Sequence, residues 1–347
     1  MWRVQATCGV EVRGLDLGRA TARDVSEVRQ RLAEHGVVYF RDAGSSPGEP
    51  ITPEEHLQFA SSLGEVEVNR FFPRVEGYPA IAKVEKTPEM KRAIGSGFHA
   101  DHTYDLAPAM GSLLVARRVP EQGGDTVFVD MRKAYETLPA EVKAQISGLR
   151  AVHSSRHIFG EGGAQAGMMN QASAVQTTAH PVVLVHPASG RKVLFVNPGF
   201  TIHLEGQTPE ESRPLLATLY QHSVQANHMT RFKYEPGSAV LWDNRSVWHC
   251  AMNDYPGQYR LMHRVTIKGV RLPGSEAQLR HGVDVLACSW GETPLDLPFV
   301  HHALTTTRSG MRNLDPDMLA WWVNPSLLER AILRTASWVG VDLRSRL

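Results

Sequence analysis

Residues 97–114 read GFHADHTYDLAPAMGSLL, and within them His99, Asp101 and His102 put two imidazoles and a carboxylate into four positions. Imidazole is the commonest metal ligand among side chains. On an extended segment residues two apart share a face, so His99 and Asp101 converge while His102 points away and serves at most as a pocket residue. A third ligand has to come from elsewhere. The stretch SVWHCAM supplies His249, on a predicted strand directly after a Trp-Asp-Asn turn. Two histidines and one carboxylate form the facial set expected of non-haem Fe(II), with three adjacent positions left for a co-substrate and dioxygen. A lone His-X-Asp arises by chance in many proteins, so the rest of the chain has to support the triad.

The strand QYRLMHRVTIKG (258–269) does so. Positions 260, 262, 264 and 266 share one face, and an arginine turned into a barrel must meet an anion because an unpaired buried charge is very costly. Arg260 suits a bidentate grip on a carboxylate. Arg264 lies roughly 13 Å further along at the usual rise, enough for a second anion on the other side of a metal. His263 falls on the opposite face. Cys250, beside His249, also faces away and reads as core.

The elements that must position these groups are short. Residues 22–35 carry Val25, Val28 and Leu32 at helical spacing before Gly36, and VVYF (37–40) reads as a buried strand. In ITPEEHLQFASSLG (51–64), Thr52, Pro53, Glu55 and Gly64 mark a capped helix. Apolar runs separated by Gly and Pro follow to about residue 130, and residues 131–146 return to helical character. The Gly-, Ala- and Gln-rich segment 155–180 has no period and reads as a lid loop. His153, His157, His180 and His186 flank it, where solvated or supporting roles are expected. Strands resume at 182–187, 192–197, 239–243, 246–252 and 258–269, with a helix over 208–224, and Trp242 and Trp248 are expected to pack the interior. Many short strands with few interleaved helices argue for a barrel or jelly-roll sandwich rather than a parallel sheet.

Composition sets the outer bounds. The chain has 347 residues, 42% hydrophobic and 21% charged, and a formal charge of +1. That balance offers no electrostatic footprint for nucleic acid. No signal-peptide core and no apolar run of membrane-span length is expected. Cys8, Cys250 and Cys288 are odd in number and widely spaced, which reads as reduced thiols in a cytoplasm.

Taken in order, GVEVRGLDL, HGVVYFRD, ITPEEHLQFASSLGEVE, HADHTYDLAPAMGSLLVARRVPEQGGDTVFVDM, LFVNPGFT, WDNRSVWHCAMNDY and RLMHRVTIKG resemble the taurine/2,4-dichlorophenoxyacetate dioxygenase family of Fe(II)- and 2-oxoglutarate-dependent oxygenases. The resemblance covers about residues 8–270. It implies a mainly β fold with flanking helices, a double-stranded β-helix (jelly roll) over 1–272. It also implies Fe(II), 2-oxoglutarate and O2 as cofactor and co-substrates. His99, Asp101 and His249 match the iron ligands, Arg260 the clamp on the distal carboxylate of 2-oxoglutarate, and Thr126 its hydroxyl partner. Arg264 matches the position that meets the substrate's anionic group, and Phe200 an aromatic on the substrate side. The taurine enzyme has an asparagine where this chain has Gly95, and its His-X-X-Tyr-Pro pocket segment corresponds to Asn69-Arg70-Phe71-Phe72-Pro73. Phe72 and, at most, His102 therefore join a larger and more aromatic pocket, suited to an organic acid bigger than taurine.

Residues 273–347 lie beyond the resemblance. Asp315-Pro316 and Asn324-Pro325 are helix starts, and Leu328, Ile332 and Val339 lie near helical spacing. The expectation is a helical C-terminal extension that packs on the barrel or joins a homo-oligomer. The implied reaction is oxidation of a small organic substrate, hydroxylation by default, with release of succinate and CO2. Desaturation, cyclisation and C–N oxidation need the same triad. A non-redox metal hydrolase or lyase has no need of Arg260 and Thr126, and a metal-free binding protein would not bind Fe(II) tightly.

Overall fold

The computed structural model of the chain describes residues 2–5, 7–160 and 176–277. These are mainly β with a few flanking helices. Helix Ala22–His35 starts at Thr21, which exchanges hydrogen bonds with Asp24, and stops at Gly36 in the left-handed region (φ 76°). Helix Pro53–Leu63 opens on the expected box of Thr52 and Glu55. Each box satisfies two otherwise unpaired N–H groups, and such a cap contributes about 1 kcal/mol. The helical character expected over 131–146 is divided between two helices, Met131–Glu136 and Ala140–Gln145. Pro139 interrupts it, because proline has no N–H to donate and drives the preceding residue out of the α region.

The largest sheet runs Trp2–Val4, Val10–Val12, Val37–Phe40, Ala239–Asp243, Gly111–Arg118, Arg260–Ile267, Tyr78–Lys86, Arg74–Val75, with Val66–Glu67 beside Arg260–Ile267. Strand Arg260–Ile267 shows the alternation its sequence implies: Arg260, Met262 and Arg264 are buried, Leu261 and His263 only half-buried. One face of this sheet, through Val38, Phe40, Leu113, Leu241, Val265 and Ile267, packs on Val28, Leu32, Phe59 and Leu63 of the two helices. The other face, through Tyr39, Leu114, Val240, Trp242 and Met262, packs on Phe128, Phe232 and Tyr234. Phe128 and Phe232 belong to a three-stranded sheet, Met229–Phe232, Thr126–Asp130, Val247–Ala251. The face that carries Arg260 and Arg264 therefore looks toward the sheet that carries Thr126 and His249.

A four-stranded sheet in the order Thr201–Leu204, Arg150–Ser154, Thr177–Pro181, Glu276–Ala277 stands beside these. The loop expected over 155–180 holds a helical turn, Arg156–Phe159, and the strand Thr177–Pro181; residues 161–175 lie outside the described residues. Glu276–Ala277 carries the β structure past residue 272. The rest of the expected helical extension, with Cys288, lies outside the described residues. No helix among the described residues is long and apolar enough to cross a membrane.

Candidate metal centre and the arginine strand

His99 and His249 face each other across an isolated antiparallel bridge. His99 N donates to His249 O (3.1 Å) and His249 N donates to His99 O (2.8 Å), which sets their rings 4.2 Å apart. Asp101 does not follow on a strand, as parity supposed. Residues 101–104 form a turn in which His102 takes φ +59° and Asp105 N donates to His102 O (3.0 Å). Asp, Thr and a left-handed residue favour a turn over an extended run. The turn still returns the Asp101 carboxylate to the two rings: His99 Nε2 stands 3.5 Å from Oδ1 and His249 Nε2 3.6 Å from Oδ2. His102 is sent elsewhere, as parity had it for another reason. Its Nδ1 lies 3.2 Å from Asp105 Oδ2, which also accepts from Arg70, and its ring stacks on Tyr104.

The donor set suits a divalent ion. One ligand atom from each of His99, Asp101 and His249 lies within 4.8 Å of the other two. His99 Nδ1 is 2.7 Å from Gly97 O. A carbonyl can only accept, so Nδ1 carries the proton and Nε2 keeps its lone pair for a metal. The His249 ring sits against Trp242 (4.7 Å) and Phe128 (6.3 Å). Burial, the neighbouring His99 and the Arg264 cation push its pKa down to about 3 against the pull of Asp101. Burial alone would raise the Asp101 carboxyl; the Arg264 guanidinium and the two imidazoles outweigh it and hold the group well below the usual carboxylate range. An anionic carboxylate beside a neutral imidazole at neutral pH is the state a metal requires.

Support comes from the Trp-Asp-Asn turn. Asn244 Oδ1 accepts from Asp101 N (3.4 Å) and from Trp242 Nε1 (2.8 Å). Asn244 is in turn fixed by its neighbour Asp243, which accepts from Arg245 Nε (2.9 Å) and Nη2 (2.6 Å) and from His186 Nε2 (3.0 Å). Backbone room matters too. A Cβ on Gly199 would lie 2.6 Å from His99 Cβ, and one on Gly95 (φ +78°) would touch His99 Cε1 at 3.3 Å.

Arg260 lies 4% exposed, with Nε donating to Gly124 O (3.0 Å) and its guanidinium 5.4 Å from the Tyr234 ring. Thr126 Oγ1 is 3.1 Å from Tyr234 Oη, so Arg260 and Thr126 share one neighbour. No carboxylate among the described residues pairs with Arg260. The Gly-Gly-Asp-Thr turn is braced from behind. Asp254 accepts from Gly124 N (2.8 Å), and Arg231 bridges Asp125 (2.6 Å) and Asp254 (2.7 Å).

Arg264 donates to Asp101 Oδ2 (3.3 Å) and lies over Phe72 at 4.9 Å. Phe200 meets the His99 ring edge-on at 6.1 Å and Tyr104 at 4.8 Å. Phe71, Phe72, Tyr104 and Phe200 thus form one buried aromatic cluster beside the triad. The sequence reading passed over Tyr104, Tyr234 and Asn244. Asn244 had a signal, its place between Trp242 and the His249 strand; Tyr234 had none.

Other expectations sort simply. Cys250 is buried, and burial pushes its thiol up to about 12. His263 stands on the far face, where Arg117 Nε donates to its Nδ1 (3.1 Å). Trp242 and Trp248 are buried. His153, His180 and His186, for which solvated or supporting roles were expected, are buried and hydrogen-bonded, which fits the supporting role.

The profile described as "Taurine catabolism dioxygenase TauD, TfdA family" matches residues 3–266. The chain is 30% identical over 275 residues to the alpha-ketoglutarate-dependent 2,4-dichlorophenoxyacetate dioxygenase of Burkholderia sp. (strain RASC), spanning 73% of this chain and 89% of that one. It is 29% identical over 284 residues to the alpha-ketoglutarate-dependent sulfate ester dioxygenase of Pseudomonas putida, spanning 80% and 91%. Among solved structures, a taurine dioxygenase from Burkholderia xenovorans aligns with a TM-score of 0.67 at 30% identity, over 83% of this chain and 98% of the other.

Proposed function

The chain belongs to the taurine catabolism dioxygenase TauD, TfdA family, and on that premise we propose that His99, Asp101 and His249 hold the metal, that Arg260 and Thr126 hold the distal carboxylate of 2-oxoglutarate, and that Arg264 receives the anionic group of a small organic acid. The protein is a 2-oxoglutarate-dependent dioxygenase, an oxidoreductase that uses Fe(II), 2-oxoglutarate and O2. The facing sheets read as a double-stranded β-helix, the catalytic jelly roll of residues 1–272. The buried thiols of Cys8 and Cys250 suit a reducing cytoplasm.

One observation carries the proposal: three ligand atoms within 4.8 Å, delivered by two segments joined main chain to main chain. The bound iron supplies dioxygen activation, coupled to conversion of 2-oxoglutarate to succinate and CO2 with oxidation of the substrate. Around it the residues divide the labour. Asp101 stays ionised because Arg264 and the imidazoles compensate its burial. Arg260 is a buried cation that forms no ion pair among the described residues, so an incoming carboxylate gains a charge-assisted, fork-matched partner. The Thr126 hydroxyl can turn from Tyr234 to add a second contact. Phe72 and Phe200 exclude water, and His102 backs the aromatic wall through its stack on Tyr104.

Relatives named for sulfate esters and phenoxy acids support an anionic, partly apolar substrate, and hydroxylation is the outcome we favour. Desaturation, cyclisation or C–N oxidation would use the same groups. The test is a screen of sulfonates, sulfate esters and aryloxy carboxylates beside matched neutral and cationic compounds, under Fe(II) and 2-oxoglutarate, read by succinate and product mass. Substrate-dependent succinate from an anionic candidate supports the reading. Turnover restricted to neutral or cationic compounds overturns it.

A further inference from the structure

The turn that presents Asp101 is anchored by a strand that the sequence pattern presents as part of a loop. Thr178 and His180 lie two apart on Thr177–Pro181 and so project to the same face. Thr178 Oγ1 donates to Tyr104 O (2.8 Å), and His180 Nε2 lies 3.2 Å from Asp105 O. Two consecutive carbonyls of the turn are thus gripped from one strand. Asp105 O can only accept, so His180 Nε2 carries the proton and Nδ1 is a bare lone pair. Ser275 Oγ stands 2.6 Å from that Nδ1 and must donate to it. His180 is fully buried and Ser275 is 3% exposed, so no water competes for either contact.

Ser275 is itself held. Its N donates to Leu272 O (3.2 Å), its carbonyl accepts from Arg271 Nη2 (3.0 Å), and the next two residues pair with the same strand, Glu276 with Ala179 and Ala277 with Thr178. The match to the family model ends at residue 266, short of Ser275.

We propose that His180 is a positioning residue for Asp101, locked by Ser275, so that residues 271–277 form part of the support of the metal centre rather than a plain spacer after the last long strand. The chain of contacts runs Ser275 Oγ–H to His180 Nδ1, His180 Nε2–H to Asp105 O, and Asp105 N–H to His102 O, which closes the turn immediately after Asp101. This rests on the reading of Asp101 as a metal ligand.

Two amide side chains separate the contacts. In His180→Gln the terminal N–H₂ reaches about as far as Nε2 and can still donate to Asp105 O. In His180→Asn the shorter side chain reaches only the Nδ1 position, and that contact is lost. The readouts are the Fe(II) dissociation constant by anaerobic calorimetry, the KM for 2-oxoglutarate and the melting temperature. His180→Asn should raise the Fe(II) dissociation constant about three- to tenfold, as expected for one lost hydrogen bond. The KM for 2-oxoglutarate should stay within about twofold, since Arg260 and Thr126 stand on other strands. His180→Gln keeps the donor to Asp105 O but has no acceptor for Ser275, so it should bind Fe(II) about as Ser275→Ala does and more tightly than His180→Asn. Ser275→Ala, a milder change, should weaken Fe(II) in the same direction and keeps the test alive if His180→Asn does not fold. Equal Fe(II) affinity in the Gln and Asn variants, or lowered melting with unchanged Fe(II) affinity in His180→Asn or Ser275→Ala, overturns the proposal. His99→Ala serves as the control. If it too leaves Fe(II) affinity unchanged, the metal assignment has failed; if it abolishes binding, only the role of His180 is in question.

Discussion

The Arg264 guanidinium stands 3.3 Å from the Asp101 carboxylate, so the cation matched to substrate recognition also pairs with a metal ligand. One guanidinium can do both. Its Nε has no hydrogen-bond partner among the described residues, and five N–H donors in a fixed fork leave capacity for a second anion. The pair also links substrate arrival to the charge at the metal.

Arg264→Ala should therefore lose substrate-triggered succinate formation, with kcat/KM for the substrate down about a hundredfold, the size of one lost charge-assisted contact of about 3 kcal/mol. The KM for 2-oxoglutarate should remain near the parent value. Arg264→Lys should recover part of the loss, since a point charge remains but the fork does not. Unimpaired turnover of the true substrate by the alanine variant would leave Arg264 as an internal partner of Asp101 only.

Arg260→Ala should weaken 2-oxoglutarate itself. Two charge-assisted hydrogen bonds to a carboxylate are worth about 3 kcal/mol or more, a rise of at least about a hundredfold in KM. Arg260→Lys should fall between. Equilibrium titration with 2-oxoglutarate under anaerobic conditions decides it, and an unchanged affinity would remove Arg260 from the role.

Among the histidines the effects should divide cleanly. His99→Ala and His249→Ala each delete a ligand and should weaken Fe(II) by more than about a hundredfold, beyond what loss of a supporting hydrogen bond around a metal site costs. His102→Ala should keep the metal, because its Nδ1 serves Asp105. Loss of iron in His102→Ala with retention in His99→Ala would contradict the geometry.

Acid should unfold the protein through buried neutral imidazoles. Burial holds His56, whose Nε2 donates to Leu113 O, at a pKa of about 3, and holds His180 at about 4. In the unfolded chain both titrate near 6.5. Between those values the unfolded chain takes up protons that the folded chain refuses. The stability is intact above about pH 6.5 and is lost as the pH falls toward 4. At pH 5 each ring has cost about 2 kcal/mol. Urea midpoints at pH 7, 6 and 5 should fall steadily; equal midpoints at pH 7 and 5 would refute this.

How far the sequence could be read depended on whether its signals were local. The box Thr52-Pro53-Glu55 closes within four residues, and its helix forms as read. The arginine strand alternates by its own pleat. Strand Thr177–Pro181 carries no such signal: Thr178 and His180 look like loop residues until Tyr104 O, Asp105 O and Ser275 are brought to them. Arg150–Ser154 hides His153 in the same way, with Thr103 as its distant partner. In the site, the ligand types were legible from spacing, but the turn that aims Asp101 was not, because its shape depends on Asn244 and on the strand behind it.

The His99–His249 bridge joins segments separated by more than a third of the chain. Contacts between such distant segments carry a loop-closure penalty before they return any binding energy, so they form late on the folding pathway. Iron accordingly has nothing to bind while the chain is still collapsing. The ion enters a finished molecule and acts on it by mass action, favouring the native state over the unfolded one without guiding the route between them.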